Sequence, residues 1–233
     1  MIKKYIYLDQ LISLFEKNNL IITSCTYKDN IYLPVKMRYE SYKIDKDDKK
    51  KIINKYLYVK DWNIFHKIYN LINPDDRHFY EMIGDKCKFF LDIDGKNIDC
   101  IDWNIYLKEI EEALYKLFTM EFNLKIKVIK CQSISLTDEP KKSCHFIIPE
   151  FSFLVNDCKY ICNILKNNYI KNKKILDIID DTVYGINRCL RIPLSSKMGS
   201  KRIKIVTSEH YYESFISDIE KTKFININRS EEI

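Results

Sequence analysis

Phe89-Phe90-Leu91-Asp92-Ile93-Asp94-Gly95 ends an apolar run with two carboxylates one residue apart. Strand side chains alternate faces, so a strand here puts Asp92 and Asp94 on one face and Ile93 on the other, with the two aspartate Cα atoms roughly 7 Å apart. Two anions that close together need a cation, because burying unpaired carboxylates costs free energy. Two divalent ions about 4 Å apart form a clamp used in phosphoryl transfer. The competing interpretation is a strand-end turn whose aspartates face water, and the rest of the chain has to decide between them. An EF-hand does not fit: Gly95 falls at loop position four instead of six, and position twelve would be Trp103 instead of glutamate.

The wider composition allows a real core. With 233 residues, 46% hydrophobic and 31% charged, the chain can fold as one large domain or two small lobes, which excludes a disordered tail. A net charge of +6 and a pI near 8.7 admit a polyanionic partner without proving one. Lys outnumbers Arg 33 to 6, beside abundant Ile, Asn and Tyr, as in the drift of an AT-rich genome. Where Arg survives is therefore informative, and Arg188, Arg191 and Arg202 fall within fifteen residues. The planar guanidinium fork suits phosphate, and Lys replaces it poorly in bidentate contacts. Gly84 and Gly95 flank the Asp-x-Asp strand and Gly185 and Gly199 flank the arginine cluster, two regions that need unusual backbone angles or close ligand approach. Eight scattered cysteines without a secretory signal imply free thiols in a reducing compartment; Cys158 and Cys162 have helical i, i+4 spacing but no second pair to complete a zinc site. No run of eighteen apolar residues occurs, so no membrane span is expected.

Periodicity gives the following elements. Residues 1–18 read as an amphipathic helix with Asp9 as its cap. Residues 20–41 read as two strands around Lys28-Asp29-Asn30, and Asp45 to Lys51 as a solvated loop or helix start. A helix over 61–73 ends at Asn73-Pro74, and strands follow at Phe79 to Ile83 and Lys86 to Asp94. The clearest helix runs from Asp102 to Glu121, with Tyr106, Ile110, Ala113, Leu114, Leu117 and Phe118 as its buried stripe. Further strands are expected at 125–133, 143–149 and 203–207, a polar loop at 137–142, and helices at 157–170 and 210–219. The expected fold class is α/β (α+β), a two-lobed unit with mixed sheets and a central cleft.

Two more polar clusters join Asp92 and Asp94. In Lys141-Lys142-Ser143-Cys144-His145, period two puts Lys141, Ser143 and His145 on one face, where an ammonium, a hydroxyl and an imidazole can donate to phosphate oxygens. The segment from Asp180 to Lys197 offers carboxylates first and cations afterward. A two-ion site on Asp92 and Asp94 still lacks a third carboxylate, and Arg191 and Lys197 could balance triphosphate charge. Read jointly, the clusters favour a metal-dependent site that handles nucleoside triphosphate.

In this order the clusters resemble the archaeo-eukaryotic primase superfamily, whose motifs are Asp-x-Asp or Asp-x-Glu, Ser-x-His and a later single Asp. His78-Phe79-Tyr80-Glu81-Met82-Ile83 with Cys87-Lys88-Phe89-Phe90-Leu91-Asp92-Ile93-Asp94 is similar to the first motif region of the primase-polymerase (PrimPol) branch. The Val-Tyr, Asn-Arg, Leu-Arg and Ser-Ser-Lys elements between Asp180 and Lys197 are similar to its third. Primases of large DNA viruses, pox- and herpes-type, share these elements. The resemblance covers residues 55 to 207.

It implies a single primase-polymerase catalytic domain over 1–233, with an N-terminal lobe of about 1–85, a catalytic region of about 86–207 and a tail at 208–233. By the same resemblance Asp92, Asp94 and Asp180 hold two Mg²⁺ or Mn²⁺ ions, with Asp180 preferred to Asp181 because it lies three residues before Val183. Lys141, Ser143, His145, Arg191, Lys197 and Lys55 bind the nucleotide. Cys189 stands where the family has a nucleotide-contacting Asn. The implied partners are a single-stranded DNA template, NTP or dNTP substrates and a replicative helicase; the implied setting is intracellular, at a viral replication site in cytoplasm or nucleus. Other classes remain open at this level: another metal-dependent phosphotransfer enzyme such as a nuclease, or a non-catalytic nucleic-acid-binding subunit.

Overall fold

Alternating apolar and polar residues build two sheets, and helices cover one face of each. The computed structural model describes residues 8–18, 20, 22–23, 34–44, 50–134, 141–200, 202–209 and 211–227. The chain divides into two units, Met1–Met82 with Cys189–Lys204, and Ile83–Arg188 with Ile205–Ile233. The expected catalytic region of about 86–207 is thus divided: the segment carrying Arg191 and Lys197 folds with the first unit.

In the first unit, α1 (Leu8–Lys17), β1 (Ile22–Thr23), β2 (Val35–Ile44), β3 (Lys50–Leu57), α2 (Trp62–Leu71) and β4 (Phe79–Met82) precede the returning strand Cys189–Arg191. The sheet order is β1-β3-β2-β4 and then the returning strand. Met37 pairs with Lys55 and Phe79, Lys36 with Tyr56 and Tyr80, and Tyr80 with Arg191. Directly paired residues share a face. One face therefore carries Val35, Met37, Lys55, Leu57 and Phe79, and the other Lys36, Arg38, Tyr80 and Arg191. The helices cover the first face: the rings of Phe15, Phe65 and Tyr69 surround Phe79 at centroid distances of 6.4, 6.4 and 5.5 Å. Asp61 caps α2, accepting from the backbone N–H groups of Asn63 (2.8 Å) and Ile64 (3.2 Å).

Two expectations change here, and a third lies partly outside the described residues. Asp9 lies inside the first turn of α1 and not before it. The charged run read as a loop or helix start already enters β3 at Lys50, because β2 offers it a partner across the hairpin. Among the described residues of 20–41, strands lie at 22–23 and from Val35, and the turn expected at Lys28-Asp29-Asn30 lies outside the described residues.

In the second unit, β5 (Lys86–Lys96) is followed by α3 (Cys100–Phe122), β6 (Ile129–Ile134), β7 (Lys141–Leu154), α4 (Val155–Ile164), β8 (Ile179–Asp180), β10 (Ile205–Val206) and β11 (Lys223–Phe224); the returning strand of the first unit is β9. The order is β10-β6-β7-β5-β8, antiparallel throughout, with β11 parallel to β7. Asp99 caps α3 through the Asp102 N–H at 2.8 Å, and Asn123, at φ 51°, ends it in the left-handed region. Its expected stripe is buried, and Phe118 meets Phe89 of β5 at 5.5 Å.

Residues 143–149 turn out to be the middle of a longer strand. Lys141 and Lys142, expected in a loop, are paired, and β7 continues past Pro149 because its register with β5 jumps from Ile148–Phe89 to Ser152–Lys88. The bulge takes the proline, which has no N–H to give a ladder. The expected 157–170 helix is α4 extended by a π-helical turn over Leu165–Tyr169, and 210–219 reduces to a 3₁₀ turn at Tyr211–Ser214. Cys158 and Cys162 are buried, and burial pushes the Cys162 thiol up to about 11 and the Cys158 thiol well above its ordinary value.

Gly95 marks where β5 presses on α3. A Cβ there would lie 2.7 Å from Trp103 Cζ3 and 2.9 Å from Ile98 Cδ1. Trp103 is buried and its indole N–H donates to Gln132 Oε1 at 3.4 Å, so the ring cannot swing away without loss. Gly95→Ala is expected to destabilise by about 1–3 kcal/mol in urea unfolding. An unchanged midpoint would show that the indole yields freely.

Candidate functional site

Strand pairing in the second unit brings the two motif strands side by side. Across β5 and β7, Asp92 faces His145, Asp94 faces Ser143 and Lys96 faces Lys141; from the other edge, Asp180 of β8 faces Asp92. Asp180, Asp92 and His145 form one rung over three strands, and Asp94 with Ser143 forms the next rung on that face. Neighbouring Cα atoms in such rungs are about 4.5–5.5 Å apart. The opposite face of β5, with Phe89, Leu91 and Ile93, is fully buried. Phe90, on the aspartate face, is covered by the Tyr184 ring at 5.0 Å, and the Tyr184 hydroxyl donates to the Phe90 carbonyl. One end of the aspartate face is thereby sealed.

The side chains around these rungs are polar and close. His145 Nε2 lies 3.5 Å from Asp92 Oδ1, and Lys141 Nζ lies 3.0 Å from Asp94 Oδ2. Ser143 and His145 are buried, whereas Asp92, Asp94 and Asp180 are partly accessible. Asp180 Oδ1 accepts from the Thr182 backbone N–H at 2.9 Å and its hydroxyl at 2.7 Å, an Asx turn that sets the carboxylate's direction. Asp181 is engaged differently, in an ion pair with Lys166. Position separates the two aspartates: only Asp180 shares the rung with Asp92.

Three carboxylates are hard oxygen donors of the kind Mg²⁺ and Mn²⁺ take. Among the described residues, no three His, Cys, Asp or Glu side chains already converge as a ligand set. Lys141 occupies Asp94, so a cation there would exchange with the ammonium.

The first unit carries the remaining residues. Arg191 is buried on β9, and its Nη1 donates to the Arg202 carbonyl at 3.1 Å. Lys197 lines a pocket of about 300 Å³ with Lys36, Arg38, Tyr80, Cys189 and Met198. Lys55 does not join them: its register opposite Met37 puts it on the helix-covered face. Ser195 of Ser-Ser-Lys ties this segment to β4 and α2. Ser195 Oγ accepts from the Phe79 N–H at 3.1 Å and lies 3.0 Å from the Tyr69 hydroxyl. Lys36 and Arg38 escaped the sequence reading, although Arg38 is one of only six arginines, the scarcity that singled out Arg191.

No family model and no curated protein matches this chain. Among the described residues, no helix is long and apolar enough to cross a membrane. The described elements make a mixed α/β protein with two largely antiparallel sheets, one bearing an acidic rung beside a Ser-x-His strand.

Proposed function

We propose that the chain is a template-directed nucleotidyltransferase, a DNA primase-polymerase catalytic domain of the archaeo-eukaryotic type. The observation that supports it is the rung of Asp180, Asp92 and His145 with Asp94 and Ser143 beside it. Motifs far apart in the sequence meet on one face of one sheet, in the combination phosphoryl transfer needs. Asp92, Asp94 and Asp180 would hold two Mg²⁺ or Mn²⁺ ions, which when bound acidify a 3′-hydroxyl and neutralise charge on the triphosphate.

The chain's own groups do the rest. Ser143 and His145 donate hydrogen bonds to phosphate oxygens from buried, fixed positions, so little reorganisation is needed as charge develops. Lys141 guards Asp94 until substrate arrives and then supplies its charge to the phosphates. The resemblance assigns Arg191 and Lys197 to the nucleotide as well. Single-stranded DNA template is the proposed partner, bound mainly through its phosphates.

The test is incubation with primed and unprimed single-stranded template, labelled NTP or dNTP, and Mg²⁺ or Mn²⁺. Incorporation that requires template is expected. Cleavage of DNA without nucleotide would identify a nuclease instead, and binding with neither reaction a non-catalytic subunit. His145→Ala is expected to raise the KM for nucleotide roughly tenfold or more, the scale of one charge-assisted hydrogen bond. An unchanged KM would remove His145 from the nucleotide site.

A further inference from the structure

The outer face of the first unit's sheet has a charge pattern that a solvated surface does not explain. β2 is paired on both sides, by β3 and β4, and its inward residues Val35 and Met37 are buried. Its outward residues include Lys36 and Arg38, two like charges at i, i+2 on an inner strand, where β-branched or aromatic side chains are usual. Both are half-buried. Lys36 Nζ lies 5.8 Å from the Tyr56 ring centroid and the Arg38 guanidinium 6.0 Å from that of Tyr80, while Arg38 Nε donates to Asn54 Oδ1 at 3.2 Å. Ring contacts hold the cations in place, and the bond to Asn54 uses one of arginine's five donors.

These cations share a concavity. Lys36, Arg38 and Lys197 line the pocket of about 300 Å³ together with Tyr80, Cys189 and Met198, and among the described residues no carboxylate lines it. Lys36 and Arg38, like charges two residues apart on one strand, repel each other, a cost that an anion beside them lowers. The volume is at the small end of ligand sites and suits one phosphate group with its adjoining sugar better than a long stretch of polymer.

We infer that Lys36 and Arg38 form a phosphate-binding pair, which with Lys197 makes this pocket a phosphate site of the first unit. Its ligand chemistry is a phosphate oxyanion, carried either by a free nucleotide or by the backbone of a single strand. That the phosphate belongs to a nucleotide or template rests on the nucleotidyltransferase reading; the pocket's affinity for phosphate does not. Cys189, standing where the resemblance expects a polar Asn, lines the same pocket. The paired cations supply polar contacts in the region where that one is lost.

The test uses the full chain in EDTA, so that phosphate binding is read without divalent ions. Inorganic tripolyphosphate is titrated by calorimetry and a fluorescent oligo(dT) by anisotropy, against Lys36→Gln/Arg38→Gln, which keeps polar stems over the rings. Lys36→Ala/Arg38→Ala is a second variant, and Lys108→Ala, on an exposed helix position, controls for bulk charge. At least a tenfold loss of affinity in the Gln pair, with Lys108→Ala unchanged, is expected. Loss for tripolyphosphate alone identifies the free nucleotide as the source. Loss for oligo(dT), with a salt slope shallower by about 0.7 per contact removed, identifies the strand backbone. Unchanged affinity for both probes in either folded double variant, or an equal loss in Lys108→Ala, overturns the proposal. Wild-type protein that binds tripolyphosphate through this pair but never incorporates nucleotide would defeat the nucleotidyltransferase reading and leave the pocket standing.

Discussion

Asp92→Asn is expected to reduce template-dependent incorporation by roughly a thousandfold or more, about 4 kcal/mol of transition-state stabilisation. Asp92 is the one residue flanked in register by both other parts of the site, Asp180 on one strand and His145 on the other. Asparagine keeps its shape and one acceptor oxygen but loses the charge that a divalent ion needs. A second readout does not depend on turnover. For wild-type protein, Mn²⁺ at a hundredfold excess over its Kd is expected to stabilise the fold by about 2.7 kcal/mol. For a chain of this length that corresponds to a rise in Tm of roughly 5–10 °C. The Asp92→Asn protein should show little of that rise while keeping its far-UV spectrum and its Tm in EDTA. Equal incorporation by the two proteins would sink the catalytic assignment of the rung.

Phe118→Ala should cost about 3–5 kcal/mol, the range for emptying a buried phenylalanine site. Phe118 is wholly buried on α3, with ring centroids of Phe89, Phe122 and Phe153 at 5.5, 5.6 and 6.2 Å. The neighbours come from two strands and from the helix itself, so collapse onto the cavity would need all of them to move. Domains are stable by only about 5–15 kcal/mol, so this one change removes a large fraction of the margin. Phe89 is three residues before Asp92 on β5, and loosening it from behind should also lower activity at temperatures where the variant is still folded. Urea unfolding measures the first effect. A loss below about 1 kcal/mol would mean that the neighbouring rings refill the space.

Much of the site was visible in periodicity. Alternation alone placed Asp92 with Asp94, and Lys141 with Ser143 and His145, on common faces, and the paired strands keep that arrangement. The stripe from Tyr106 to Phe118 is the buried side of α3 for the same reason: each side chain's direction follows from its own backbone geometry. Caps are equally local. Asp61 and Asp99 stop the chain's extended path by accepting from N–H groups two or three residues ahead.

Strand partners are not local. Nothing in Ile179-Asp180 says that it lies along β5, or that Cys189-Leu190-Arg191, only a few residues later, joins a different sheet beside β4. Those choices depend on which apolar faces are buried together, a property of whole sheets that no short window contains. The same is true of Lys55, which reads as an exposed cation but projects from the face that α1 and α2 cover, and of Lys36 and Arg38, ordinary charges in the sequence that become a pocket wall when β4 and β9 line up beside them. The chemistry of each residue and the face it takes are written in the chain, because they need only the bond angles of a few neighbours. Which carboxylate stands next to which, and which cations share one cavity, is settled by long-range burial when the strands pair.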